Sequence, residues 1–442
     1  MIVPSSRLLF YVAGFGLPAA TLAGTVPTLL WPCLGMMALL ILVVVADAFR
    51  AGGSCQDSEV TFPDKIRATL HSDSLIPIIL GKTATREVSL RVGLRLDPGL
   101  GSSFEIVEAT LPKDVLSLQM CWPIHPRKRG DFYIDQIFIG GTSPFGFWSY
   151  HRSLPVLCQI FVYPNLQADR KQLAALFLNR GSIGLHSHRQ MGQGREVEKL
   201  REYVPGDGFD TIHWKATARR GQPITKVYQV ERTQEIYVII DTSRLSARIA
   251  PQSAEAILER FLNAALLLGL AAQKQGDHFG VIAFSDRITR FLPASHGSAH
   301  ATSCREALYN LDSSMVSPDF DELTTFIRTR LRRRALLVFL TNLDDPLLGE
   351  HFLRSANLIK RKHLIFAPIL EQPGVMPFFQ NSSIESMPSL YSALGNHLVW
   401  EKERELQNAL RVAGVQTSTV HSDRLCTQMV SHYLNIKRRQ LL

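Results

Sequence analysis

GREVEKLREYVPGDGFDTIHWKATARRGQPITKVYQVERTQEIYVIIDTS, residues Gly194 to Ser243, decides how the chain divides. Its first part is densely charged, with eight basic and six acidic residues between Gly194 and Arg232, mixed closely enough for internal pairing. Pro205-Gly206-Asp207-Gly208 marks a turn, because proline presets one φ and glycine takes positive φ at no steric cost. Tyr203, Trp214 and Tyr228 sit among these charges. A merely solvated face would not carry them, since such rings favour partly buried settings. The second part, Ile236 to Ile240, is apolar and β-branched and reads as a strand ending on Asp241-Thr242-Ser243.

Beyond Asp241 helix and strand patterns alternate. A long apolar-striped helix is expected over 254–274, then a buried strand over 278–284 with a short hairpin partner at 288–292. Helices follow at 299–311 and 322–332, a strand at 335–340, a helix at 347–358 and a strand at 363–369. A helix at 401–412, a short strand at 417–420 and a closing helix at 422–439 complete the chain. This alternation predicts a mostly parallel sheet covered on both faces. Ligand sites in such folds lie at the carboxyl ends of the strands, where Asp241 and Thr341-Asn342 stand.

The first half has a different composition. No charged residue occurs from Leu8 to Ala46, thirty-nine positions that exceed one membrane span and fit two, split by Gly24-Thr25-Val26-Pro27. The segments are Leu8 to Ala23, with Pro18 inside, and Thr28 to Ala46. A signal peptide is the rival reading of the first, but its apolar run exceeds the usual core of about 7–15 residues and a second span follows directly. Arg7 precedes this hairpin, Arg50, Lys65 and Arg67 follow it, and its turn is uncharged, so both ends are expected in the cytoplasm. From Glu59 to Tyr163 short alternating runs predict a small β-sandwich, with strands at 88–96, 132–139 and 159–163. His125 and His151 are isolated there and are expected on the surface. Helical spacing over 169–177 leads into a Gly/Ser/His-rich link, 181–194, whose His186-Ser187-His188 has no third metal ligand nearby.

The chain carries a net charge of +9 and a pI near 9.3, which suits nucleic acid or an anionic membrane surface. Basic residues are not interleaved with stacking aromatics over any long face, so membrane lipid is the expected partner and not nucleic acid, and nucleic-acid binding stays a third functional reading that rests on the basic balance alone. Six scattered cysteines (Cys33, Cys55, Cys121, Cys158, Cys304, Cys426) form no CxxC or Cys/His pattern, so neither a zinc site nor a disulfide framework is expected.

Arg201-Glu202-Tyr203, Pro205-Gly206-Asp207, Ile212-His213-Trp214-Lys215 and Ala218-Arg219 resemble, in order and spacing, the signature of the DUF58 family. Arg129-Gly130, Ser143-Pro144-Phe145-Gly146 and Val162-Tyr163-Pro164 also match what that family shows. The resemblance implies a transmembrane hairpin (1–50), a β-sandwich-like domain (51–166), the signature segment and linker (167–234), and an α/β domain like von Willebrand factor A (235–442). It further implies a MoxR-type AAA+ ATPase as partner, alongside a transglutaminase-like membrane protein, at the inner membrane with the soluble domains in the cytoplasm. Arg201, Glu202, Tyr203, Pro205, Gly206, Asp207, Trp214, Lys215 and Arg219 are then the expected interaction residues. Asp207 and Asp210 are expected within reach of Arg201, Lys215 or Arg219, with Trp214 as a buried apolar anchor beneath them.

In von Willebrand factor A domains a D-x-S-x-S run, a loop threonine and a later aspartate hold Mg²⁺. Asp241 and Ser243 match, but Leu245 stands where the second serine belongs, with Ser246 one position late. Pro318 aligns with the threonine, beside Ser317, and Asn342 replaces the later aspartate, with Asp344 and Asp345 beyond the strand end. Mg²⁺ dehydrates reluctantly and needs a full oxygen set, so a degenerate site is expected in which Asp241 and Ser243 cap the following loop. No cofactor is expected.

Among function classes, a non-enzymatic membrane-tethered scaffold leads. A hydrolase reading would cast His213, Asp207, Asp210 and Ser243 together, yet there is no GxSxG, no HExxH and no phosphate-cradling glycine loop. Without a P-loop, any ATP-driven work must come from a partner.

Overall fold

The computed structural model describes residues 2–25, 30–56, 58–82, 88–112, 117–167, 169–171, 174, 191–205, 207–229, 234–249, 255–372, 374–378 and 386–439. His186-Ser187-His188, most of the 181–194 link, the end of the expected 169–177 helix and Gly206 lie outside them. The chain forms two units, Met1–Asn165 and Leu166–Leu442.

The first unit opens with strand β1 (Ile2–Pro4) and helix α1 (Ser6–Thr25), then helix α2 (Leu30–Gln56). Both helices are long and apolar enough to cross a membrane, and only 6% and 11% of their spans is buried in the protein. Unlike core helices, they leave Phe10, Leu17, Trp31, Leu39 and Leu42 more than half exposed. The second helix runs ten residues past the expected end at Ala46.

Strands β2 (Ser58–Thr61), β3 (Lys65–Thr69), β4 (Ser74–Lys82), β5 (Val88–Leu94), β6 (Val107–Leu111), β7 (Ser117–Ile124), β8 (Gly130–Thr142) and β9 (Trp148–Tyr163) follow. They form two sheets, β1-β9-β8-β5-β6 with β3 also on β9, and β2-β4-β7. Period-2 alternation explains the layering. Along β4, Ile76, Ile78 and Leu80 are fully buried, while Leu75 and Ile79 face outward at 58% and 43% exposure. They join Leu90, Val92, Trp122, Ile137 and Ile160 in one core between the sheets, the sandwich that the alternation predicts. The expected strand at 159–163 is only the end of β9, which is continuous from Trp148 and pairs with β8 in an antiparallel ladder. His125 and His151 are exposed, as expected, and His125 lies 3.0 Å from the Asp73 carboxylate.

The second unit contains a ribbon, β10 (Met191–Glu202) with β11 (Ile224–Gln229), bridged by the seven-residue helix α3 (Trp214–Arg220). Then come β12 (Glu235–Asp241), α4 (Ile257–Lys274), β13 (His278–Phe284), β14 (Ile288–Ser295), α5 (Ser298–Tyr309), α6 (Phe320–Arg330) and β15 (Ala335–Leu340). The chain closes with α7 (Pro346–Ile359), β16 (Leu364–Leu370), α8 (Met387–Val412), β17 (Gln416–Val420) and α9 (Leu425–Arg439). The sheet order is β14-β13-β12-β15-β16-β17, parallel throughout except for the edge strand β14. Central strands of such sheets are apolar on both sides. Ile236, Val238 and Ile240 pack against α4 and α9, whereas Tyr237 and Ile239 pack with Phe320, Ile327 and Phe352 of α6 and α7. This is the von Willebrand factor A-like layering that the sequence implies. Helix α8 begins fourteen residues before the expected 401, because Ser386 and Ser389 make a capping box with a proline in the first turn.

Candidate functional site

The signature is built on a turn that locks itself. Asp207 accepts hydrogen bonds from the Arg201 guanidinium at 2.6 Å and from the Val204 N–H at 3.1 Å, and its own N–H donates to the Val204 carbonyl at 3.0 Å. The Val204 N–H, followed by Arg201, holds the Asp207 carboxyl below the usual carboxylate range. Tyr203 continues the ribbon through its N–H to the Pro223 carbonyl, 2.9 Å away, and stacks on Phe209 at 6.3 Å.

Helix α3 is fixed at both ends. The His213 ring accepts from the Ala216 N–H at 3.1 Å as N-cap, and Gly221 takes φ +71° as the left-handed C-cap. Thr217 Oγ1 accepts from the Ile224 N–H at 3.1 Å, tying the helix to β11. Ile212 and Ile224 are buried beneath it.

The expected ion pairing holds for Arg201 with Asp207. Among the described residues no ion pair joins Asp210, Lys215 or Arg219 to a partner, and all three are exposed. The expected burial of Trp214 is overturned: its ring is 68% exposed. A seven-residue helix on a two-stranded ribbon has too little beneath it to bury an indole. Leu200, Val204 and Phe209 are exposed as well, so this charged segment presents four large apolar side chains to solvent. Glu202 and Pro205 are also exposed. Sequence reasoning missed the ribbon and α3, although Ile224-Thr225-Lys226-Val227-Tyr228 carries β-branched and aromatic residues that favour a strand.

At the strand ends, Asp241 is fully buried. Its Oδ1 accepts from the Ser243 N–H at 2.8 Å and its Oδ2 from the Thr341 hydroxyl at 2.7 Å, while Ser246 Oγ donates to its carbonyl at 2.6 Å. Ser243 Oγ lies 3.4 Å from the Leu245 N–H and is also fully buried. These are the loop-capping bonds expected of Asp241 and Ser243. Leu245 and Pro318 are buried and offer no side-chain oxygen, Ser317 is exposed, Asn342 donates to Asp344 at 2.7 Å, and Asp345 caps α7. Both Asp241 oxygens are thus engaged by protein donors, and the residues present do not fit the oxygen cage of Mg²⁺. Burial raises the Asp241 carboxyl above its ordinary pKa, and the bonds from Thr341 and Ser243 lower it only in part. The folded state therefore holds this proton more tightly than the unfolded chain. Stability should fall as pH rises from about 3.9 through the folded-state pKa. Asp241→Asn should remove that component of the slope, which chemical denaturation across pH measures. A slope unchanged in the variant would contradict it.

The hydrolase grouping is not assembled by hydrogen bonds among the described residues. His213 caps α3, Asp207 holds Arg201, and Ser243 belongs to the Asp241 loop.

Against known proteins, the family model described as "Protein of unknown function DUF58" matches residues 199–373, from the end of β10 through α3, β11 and the α/β layer as far as β16. A curated relative, the "Uncharacterized protein YeaD" of Bacillus subtilis (strain 168), is 31% identical over 85 residues, 19% of this chain and 20% of that protein. The match therefore spans about a fifth of the relative's length. Similar solved structures include the conserved hypothetical protein BatB from Bacteroides thetaiotaomicron, at 13% identity over 46% of this chain and 99% of that one, with a TM-score of 0.30. The SpRpn10 VWA domain matches at 12% identity over 45% of this chain and 95% of that one, with a TM-score of 0.28. The PapD-like domain 7 of human CEP192 matches at 12% identity over 25% of this chain and 87% of that one, with a TM-score of 0.19. The α/β and sandwich assignments rest on the chain's own strand order and cores.

Proposed function

We propose that this DUF58 chain is a membrane-anchored, non-enzymatic interaction protein that docks a MoxR-type AAA+ ATPase through the signature face around α3, in the assembly or maturation of protein complexes. The carrying observation is the exposure of Trp214, Phe209, Val204 and Leu200 in the same segment as Lys215 and Arg219, which make no ion pair among the described residues, on a self-bonded turn and a helix capped at both ends. Exposed tryptophan and arginine on a preorganised support are what energetically dominant interface residues require. A transglutaminase-like membrane protein is a further partner of the same complex. The bonds that His213 and Ser243 do make support binding over hydrolysis: the His213 ring caps α3 and Ser243 belongs to the Asp241 loop, with Asp241 as a loop clamp.

Affinity purification of the full chain from native membranes tests the partner. The ATPase should co-purify with the parent chain and be lost from Arg219→Ala, whose thermal midpoint stays that of the parent. Unchanged retention would contradict docking through this face.

On the same proposal the chain is anchored in the inner membrane with its soluble units in the cytoplasm, a reading supported by the distribution of Arg7, Arg50, Lys65 and Arg67 around the apolar hairpin. Cys121 is exposed in the sandwich. With Cys55 replaced by serine, Cys121 should resist a membrane-impermeant maleimide in intact cells and react after lysis. Labelling in intact cells would reverse the topology.

A further inference from the structure

Asp47 follows the apolar run of α2 by one residue and is fully buried. A carboxylate at the end of a membrane span is costly unless its charge is met by donors. The donors come from the β8–β9 turn, Ser143–Phe147. Ser143 Oγ donates to Asp47 Oδ2, the Phe147 N–H to the same oxygen at 3.3 Å, and the Phe145 N–H to Oδ1 at 3.2 Å. Trp148 closes the latch, its indole N–H donating to the Val44 carbonyl at 2.9 Å.

The entry to α1 holds the same turn from the other side. The Ser5 N–H donates to the Phe147 carbonyl at 2.8 Å, Ser5 Oγ donates to the Gly146 carbonyl, and β1 pairs with the start of β9. The turn is therefore fixed level with both helix bases. Phe147 meets Tyr11 edge-on at 5.4 Å, and Tyr11 stacks with Phe15 at 6.0 Å. Tyr11 lies five residues inside the first span, a rise of about 7.5 Å. Phe145 stacks on Phe147 at 6.3 Å and is still 52% exposed.

We infer that the Ser143–Phe147 turn is a membrane-inserted element of the sandwich, with Pro144 and Phe145 seated in the interfacial layer of the bilayer. The occupant of this aromatic patch is lipid. The patch is continuous with the exposed apolar surface of α1, and aromatic rings with one wet side concentrate at that depth. Asp47 is the positioning residue, exchanging the cost of a carboxylate at the membrane edge for a rigid dock between helix and sheet. The inference rests on the reading that the hairpin spans the membrane.

Nitroxide labels test it on the full chain in phosphatidylcholine/phosphatidylglycerol vesicles, with Cys55 and Cys121 replaced by serine. Labels are placed singly at Phe145→Cys, at Leu39→Cys in mid-α2, and at Leu157→Cys, which is 85% exposed on β9. The Phe145 label should collide severalfold more with oxygen than with an aqueous nickel chelate, and the Leu157 label the reverse. A Phe145 label as wet as Leu157, with Leu39 still in lipid, overturns the inserted turn alone. Protection from both reagents means that protein covers the turn, which also overturns it. A water-accessible Leu39 label overturns the spanning reading, and the insertion with it.

Discussion

Trp214→Ala should weaken capture of the ATPase partner by about 30- to 700-fold, equivalent to about 2–4 kcal/mol, while the chain melts as the parent does. The separation of the two effects follows from exposure. An indole that is 68% exposed contributes little to the folded state, so its truncation should stay within about 0.5 kcal/mol in stability. Against a partner the same ring would offer a large apolar surface, in a segment that also exposes Phe209 and Val204. Arg219→Ala should act in the same direction, because Arg219 makes no ion pair that would otherwise hold it among the described residues. Lys215→Ala should be milder, a rim charge changing mainly the association rate and its salt dependence. Titration of purified ATPase onto the chain in detergent, with a thermal melt of each variant, reads both quantities. Loss of binding together with a lowered midpoint would mean that the signature is structural.

Asp277→Ala should cost about 3–5 kcal/mol of stability. Asp277 is almost fully buried just before β13, where Lys437 lies 2.7 Å away, the Gln234 N–H donates at 3.2 Å, and the Tyr433 hydroxyl of α9 donates to the same carboxylate. Truncation removes the partner of a half-buried ammonium and of a buried phenol together, and frees α9 from the strand end. For a unit of this size, each kcal/mol lowers the midpoint by about 2–4 °C, so a fall of about 6–20 °C is expected. Asp277→Asn should fall between the two, since its amide oxygen still accepts one bond. A midpoint within 2 °C of the parent for Asp277→Ala would contradict this reading.

Local pattern made most of the architecture legible. Alternation along 88–96 and the apolar runs at 236–240 and 335–340 announced their strands, and Pro205 to Gly208 announced the turn that Asp207 locks. The contacts that give the sites their character join residues about a hundred positions apart, which no local pattern encodes. Thr341 reaches Asp241 only because the parallel register sets Ile240 beside Leu340. Asp47 meets Ser143 only because the β8–β9 turn returns to the helix base. Trp214 misled in the opposite sense. Its residue type favours burial, but on a seven-residue helix the ring stays 68% exposed, while Ile212 and Ile224 nearby are buried. The neutral, glycine- and proline-containing 387–400 stretch gave no clear helical face, and only the Ser386 cap explains where α8 starts.

Photocrosslinking in native membranes tests partner docking through α3 most directly. A photoreactive residue at Trp214 and one at Arg244, exposed in the loop after β12, are compared in otherwise unaltered chains. Docking through the signature predicts a covalent adduct with the AAA+ ATPase from position 214 and none from position 244. An adduct from 244 alone would place the partner on the strand-end loops and contradict it.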